Sequence, residues 1–199
     1  MKGTETRANP EQEPTRCPWC GEDRIYVAYH DEEWGQPLKD NQPLFEALIL
    51  DGAQAGLSWI TILKRRAAYR AAFDGMNPEK IARYGEKDMA RLLENPGIIR
   101  NKRKIRSVIE NARSYLAMME GPVSFSQWLW NWVEGEPVIH HFKTPAEVPT
   151  ETDLSRQISK ELKNRGFSFV GPTILYAFMQ AVGMVNDHLI SCFKHPEHH

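Results

Sequence analysis

The sequence has no long apolar run. Its most apolar stretches, Phe45–Leu50 and Leu57–Leu63, are short and interrupted, far from the roughly 18 residues a membrane-crossing helix needs. The polar start, Met1–Arg16, lacks the apolar core of a secretory signal, so the expected address is cytoplasmic. Only three cysteines are present among 199 residues. That is too few for a disulfide framework and leaves thiol chemistry or metal ligation as their use. Charge of one sign is also missing: the net charge is −1, which excludes a uniformly basic nucleic-acid binder. What is present, 41% hydrophobic and 26% charged residues, excludes wholesale disorder and suffices for one buried core.

The periodicity from Cys17 onward is helical, and no segment alternates convincingly enough for a strand. Asp40 or Asn41 can cap a helix with Pro43 in its first turn, burying Leu44, Phe45, Leu48 and Ile49 and failing between Gly52 and Gly56. Ser58 opens a second helix that runs to Gly75, followed by short helices from Asn77-Pro78 and over Glu86–Glu94. Asn95-Pro96-Gly97 breaks the chain before a long helix from about Arg100 to Met119. A tryptophan-rich turn over Ser126–Val133, a loop over Pro137–Pro149, helices over Asp153–Arg165 and Pro172–Val182, and a helical turn at Asp187–Cys192 complete the expectation. The result is one all-α domain over residues 17–192, flanked by a flexible tail at 1–16 and a solvated tail at 193–199 that carries His195, His198 and His199.

Four features carry chemistry. First, His188 and Cys192 are four residues apart and share a face if that segment is helical, while Cys17 and His30 form a second Cys/His pair at the other end of the chain. Two thiolates and two imidazoles suit a closed tetrahedral metal site. Cys20, in Cys17-Pro18-Trp19-Cys20, offers an alternative set with Cys17, His188 and Cys192, or a redox dithiol. Buried thiols with hydrogen-bonded histidines account equally well for the spacing. Second, Trp19, Tyr26, Tyr29 and Trp34 crowd one short segment and Trp59 follows the glycine break; such rings serve either a core or a cleft that stacks a flat ring. Third, Asp51 ends an apolar helical run, where a carboxylate opposes the helix dipole. Fourth, the turn Glu94–Lys102 exposes amides ahead of a basic stretch: Ile98–Tyr115 holds six cations (Arg100, Lys102, Arg103, Lys104, Arg106, Arg113) against Glu110. A second basic cluster is Lys64, Arg65, Arg66 and Arg70. Solvated helix faces are the commoner reading of both runs.

Taken together, Tyr29-His30-Asp31-Glu32-Glu33-Trp34-Gly35, Gln54-Ala55-Gly56-Leu57-Ser58-Trp59-Ile60-Thr61, Gly97-Ile98-Ile99-Arg100-Asn101, Arg165-Gly166-Phe167, Phe169-Val170-Gly171 and Val185-Asn186-Asp187-His188 fall in order across the chain. From Cys17 to Cys192 the sequence resembles the DNA-3-methyladenine glycosylase I family of bacterial alkylation-repair enzymes. The resemblance implies a helix-hairpin-helix glycosylase fold and one structural zinc ion on Cys17, His30, His188 and Cys192. It implies a base pocket of Tyr26, Tyr29 and Trp59, with Trp19 and Trp34 beside it, and Asp51 as the catalytic carboxylate. Gly97 becomes the phosphate anchor, with Arg100, Lys102 and Arg103 along the DNA, and Leu57 a wedge for the gap left by an extruded nucleotide. The implied activity is hydrolysis of the N-glycosidic bond of 3-methyladenine in double-stranded DNA by a monomer, releasing the free base. A zinc-stabilised binder of alkylated bases without cleavage is the alternative. One departure stands out: the family's familiar members carry glutamate where this chain has Asp51, which shortens the carboxylate's reach by roughly 1.5 Å.

Overall fold

A computed structural model describes residues 13–198. The N-terminal tail expected over 1–16 therefore falls mostly outside the described residues, as does His199. Among the described residues ten α-helices follow one another: α1 (Arg24–Glu32), α2 (Asn41–Gln54), α3 (Trp59–Leu63), α4 (Arg66–Ala72), α5 (Pro78–Ile81), α6 (Glu86–Glu94), α7 (Lys102–Met119), α8 (Phe125–Trp130), α9 (Asp153–Asn164) and α10 (Pro172–Ala181). Helix α2 is the axis of the fold and packs against α3, α7, α8 and α10. It is apolar nearly all round and buries Leu44, Phe45, Leu48, Ile49 and Leu50, as a helix enclosed by others must. Asp51 is its one buried charged residue.

Several expectations need correction. The helix read from Ser58 to Gly75 divides in two, with Lys64 and Arg65 between α3 and α4. The β-branched run Ile60-Thr61-Ile62 is a weak helix interior, and Arg65, at φ −103° and ψ −1°, lies at the wide edge of the right-handed helical region. Helix α7 begins at Lys102 because Asn101 caps it, its side chain accepting from the amides of Arg103 (3.0 Å) and Lys104 (3.1 Å). Two short strands, β1 (Val138–Ile139) and β2 (Val185–Asn186), pair in parallel within segments read as loop and helix approach. The ladder leads directly into Asp187 and His188, and Asp187–Cys192 is a turn rather than a helix. His195 is buried rather than solvated and contacts the carbonyl of His140 at 3.1 Å, while the Phe193 amide donates to the Thr15 carbonyl at 2.9 Å. The two ends of the described chain therefore lie side by side.

Candidate active site and metal centre

The joined ends hold a buried cluster. One ligand atom from each of Cys17, His30, His188 and Cys192 lies within 4.8 Å of all the others, and all four residues are buried. Cys17 Sγ is 3.7 Å and Cys192 Sγ 3.5 Å from His188 Nδ1, and Cys192 Sγ is 3.4 Å from His30 Nε2. The three sulfur–nitrogen separations match the edges of a tetrahedron whose arms are about 2.0–2.3 Å long, so the donor set fits a metal ion. The remaining ring nitrogens are held from behind: His30 Nδ1 meets Asp31 Oδ1 at 2.7 Å and His188 Nε2 meets the Trp34 carbonyl at 3.1 Å. Such contacts fix which nitrogen faces a metal. Burial opposes it, but hydrogen bonds from Arg16 and His30 leave the Asp31 carboxyl below the usual carboxylate range. The hydrogen bond between the two thiols divides them: with His188 and His30 it pushes the Cys192 thiol down, and with burial it pushes the Cys17 thiol up. Cys20 stays outside the group, its thiol directed to the Cys17 carbonyl at 3.1 Å. The pairing foreseen from helical i, i+4 spacing is thus achieved by a turn, in which the Cys192 amide donates to the Leu189 carbonyl at 2.7 Å.

Next to this cluster opens a cavity of about 350 Å³, lined by Trp19, Tyr26, Tyr29, Trp34, Asp51 and Trp59 together with Gln54, Gln180, Asp187 and Leu189. All six sequence-derived pocket candidates therefore meet in one place. Trp19 stands at the centre of the rings, 5.0 Å from Tyr26 and 4.9 Å from Trp34 between centroids. Trp34 shares the metal cluster's wall, edge-on to His188 at 4.6 Å. Tyr29 and Trp59 touch, with centroids 5.4 Å apart and planes inclined by 50°. A ring stacked between two others needs about 7 Å between faces, so this pair leaves no room for a third ring between them.

Asp51 is deeply buried, and its Oδ2 has no hydrogen-bond partner. Burial alone raises its carboxyl well above the ordinary carboxylate range. Burial, with the nearby Asp51 carboxyl adding to it, also raises the Tyr29 phenol well above its usual value. Only two other buried side-chain polar atoms among the described residues lack a partner, Trp19 Nε1 and Trp59 Nε1. Buried polar atoms are nearly always paired, yet these three unpaired ones belong to residues around a single cavity. A ligand with hydrogen-bonding edges satisfies such groups.

Gln180 and Asp187 were missed in the sequence. Asp187 is buried and receives Tyr176 Oη (2.6 Å) and Gln180 Nε2 (2.7 Å), with His140 Nδ1 at 2.7 Å. A glutamine in the otherwise apolar run Pro172–Ala181 was the available signal.

The loop after α2 carries Leu57, which is exposed and follows Gly56 at φ +76°, a left-handed turn that favours glycine. Gln54 donates to the Leu57 carbonyl at 3.3 Å, so this loop borders the cavity. In the turn between α6 and α7, a Cβ on Gly97 would meet the Ala68 Cβ at 2.9 Å. The Gly97 amide is taken by Asn95 Oδ1 (2.8 Å) and that of Ile99 by the Tyr69 hydroxyl (3.2 Å). The amides of Ile98, Arg100 and Lys102 have no acceptor among the described residues. The basic runs separate clearly. Arg100, Lys102 and Arg103 are exposed and have no carboxylate partner among the described residues. By contrast, Lys64, Arg66 and Arg70 pair with Asp23, Glu33 and Glu46.

A helical body with its ends joined at a Cys2His2 cluster, and a central helix presenting an acid to a ring-lined cavity, is the architecture of a protein suited to a flat organic ring. Comparison with known proteins narrows the class. The family model for methyladenine glycosylase matches residues 19–195. DNA-3-methyladenine glycosylase 1 of Escherichia coli (strain K12) is 49% identical over 181 residues, covering 91% of this chain and 97% of that protein. A crystal structure of 3-methyladenine DNA glycosylase I matches with a TM-score of 0.90 at 50% identity, covering 92% of this chain and all of that one. A second, a variant of 3-methyladenine DNA glycosylase I in complex with 3-methyladenine, matches with a TM-score of 0.88 at 38% identity, covering 92% and 99%. The chain belongs to the methyladenine glycosylase family, and it is a glycosylase enzyme.

Proposed function

We propose that the chain excises 3-methyladenine from alkylated double-stranded DNA, hydrolysing the N-glycosidic bond of an extruded nucleotide and leaving an abasic site. The observation that carries this is the convergence of three unpaired buried polar atoms, on Asp51, Trp19 and Trp59, around one aromatic cavity. Methylation at N3 makes adenine a cation whose glycosidic bond is already weak, so the base departs without a strong general acid. The site's task is to extract that base and to prefer its charge. The faces of Trp59, Tyr29 and Trp19 attract a cationic ring, each contact worth about 0.5–2 kcal/mol. A cation entering the cavity favours the ionised form of Asp51, because a neighbouring positive charge offsets the burial that raises its carboxyl. The carboxylate then accepts from the edge of the base. Neutral adenine supplies no such charge.

Cys17, His30, His188 and Cys192 hold one zinc ion in this reading, a closed site without an open position and therefore structural. The turn from Asn95 to Asn101 acts as the hairpin of a helix-hairpin-helix DNA anchor, with the amides of Ile98, Arg100 and Lys102 toward phosphate. Leu57 enters the stack where the nucleotide leaves. Residues 17–192 work as a single domain and as a monomer, in the cytoplasm. No helix among the described residues is long and apolar enough to cross a membrane.

The test is base release from methylated DNA, resolved by chromatography. Release of 3-methyladenine by the native chain supports excision; affinity for methylated DNA without release leaves a damage-binding protein. Substituting both Lys102→Gln and Arg103→Gln is expected to weaken DNA binding uniformly across sequences and to reduce the slope of log affinity against log salt by about two. An unchanged slope would return both residues to plain solvation.

A further inference from the structure

Lys104 lies in the basic run of α7, yet it turns inward. Its Nζ donates to the carbonyls of Ala53 at 2.7 Å and Ala55 at 2.6 Å. These carbonyls stand at the C-terminal end of α2, where the last acceptors lack partners within the helix and the dipole favours a cation. Between them sits Gln54, which lines the base cavity and holds the Leu57 carbonyl. The Lys104 stem borders a small void shared with Gly52, Tyr69 and Ile99, and the Tyr69 hydroxyl in turn accepts from the Ile99 amide of the hairpin. Burial holds the Lys104 ammonium below the ordinary lysine value.

We propose that Lys104 is a positioning residue for nucleotide extrusion: it fastens the Leu57 loop to the start of α7, so that the backbone anchor and the wedge move as one body. The inference rests on the function proposed above, in which the hairpin grips phosphate and Leu57 fills the gap. A phosphate contact is the usual role for a lysine in such a run. Here, however, two of the three ammonium protons are committed to carbonyls at the end of α2, from which the Leu57 loop departs. Without them, the two carbonyls lose their charged donor and Leu57 loses its fixed approach to the duplex. A wedge that is misplaced by about an ångström can cost orders of magnitude in rate.

Lys104→Met keeps the stem and removes the donors; Lys104→Arg restores charge and donors. In the Met variant, amide hydrogen exchange over residues 54–58 of the free protein is expected to quicken about tenfold or more, and Arg should recover most of the protection. Single-turnover release from methylated duplex should fall about tenfold or more in the Met variant. Release from methylated single strand, where no gap needs filling, should stay within about threefold. The salt slope for duplex binding should stay at the native value. A slope lower by about one with unchanged exchange makes Lys104 a phosphate contact and overturns the proposal. Equal losses on both substrates overturn it too, because they indicate general support of the pocket. If the native chain itself releases no base, the proposed excision fails, and the exchange measurement still decides whether the tether exists.

Discussion

Asp51→Asn is expected to release 3-methyladenine from methylated duplex about 100-fold more slowly than the native chain, the scale set by losing one preorganised charged group in a water-poor site. The measurement is single-turnover release with protein in excess. The same substitution is expected to make the protein more stable at neutral pH. Burial raises the Asp51 carboxyl well above its unfolded value and no partner compensates. A group whose folded value is raised contributes stability that is fully present below the unfolded value and lost as pH climbs through the folded one. The native chain therefore weakens from the ordinary carboxylate range upward, whereas the Asn variant has no ionisation there to weaken it. Thermal unfolding as a function of pH reads the difference: the variant melts higher at pH 7, and the two curves converge in acid. A gap of about 1–3 kcal/mol corresponds to about 2–4 °C per kcal/mol for a chain of this size. An Asn variant that is neither slower nor more stable would show that Asp51 serves neither the base nor the cavity.

Removal of the metal is expected to have the largest effect on stability. An ion present at 1,000 times its dissociation constant adds about 4.1 kcal/mol, so chelation or Cys192→Ala should lower Tm by roughly 8–16 °C. Elemental analysis should find one zinc per native chain, less in Cys192→Ala, and an undiminished content in Cys20→Ser, since Cys20 is directed to the Cys17 carbonyl and not to the cluster. Full occupancy in Cys192→Ala would require a different ligand set. The expected loss is large because an ion on these four donors would close a loop from Cys17 to Cys192.

Legibility in the sequence followed the range of the interactions. Local signals placed α2 from its cap and buried stripe, α6 in full, and the start of α7 to within two residues, because caps and apolar spacing act over a few positions. The split between α3 and α4 depended on one turn of backbone at Arg65, and the β1–β2 ladder joins residues 138 and 185, which no local pattern connects. The ring cluster was legible because Trp19, Tyr26, Tyr29 and Trp34 are close in sequence. Asp187 and Gln180 were not, since they come from the far end of the chain and their neighbours resemble ordinary core. Charge runs were the least informative. Lys104 and Lys102 are two residues apart in one basic stretch, yet one braces a loop and the other faces solvent.

The cluster also sets an order of events during synthesis. Its last donor, Cys192, comes after all ten α-helices among the described residues. Leu189, part of the cavity floor, is made almost as late. A nascent chain therefore has its α-helices before it has the complete ring-lined cavity or the last donor of the cluster.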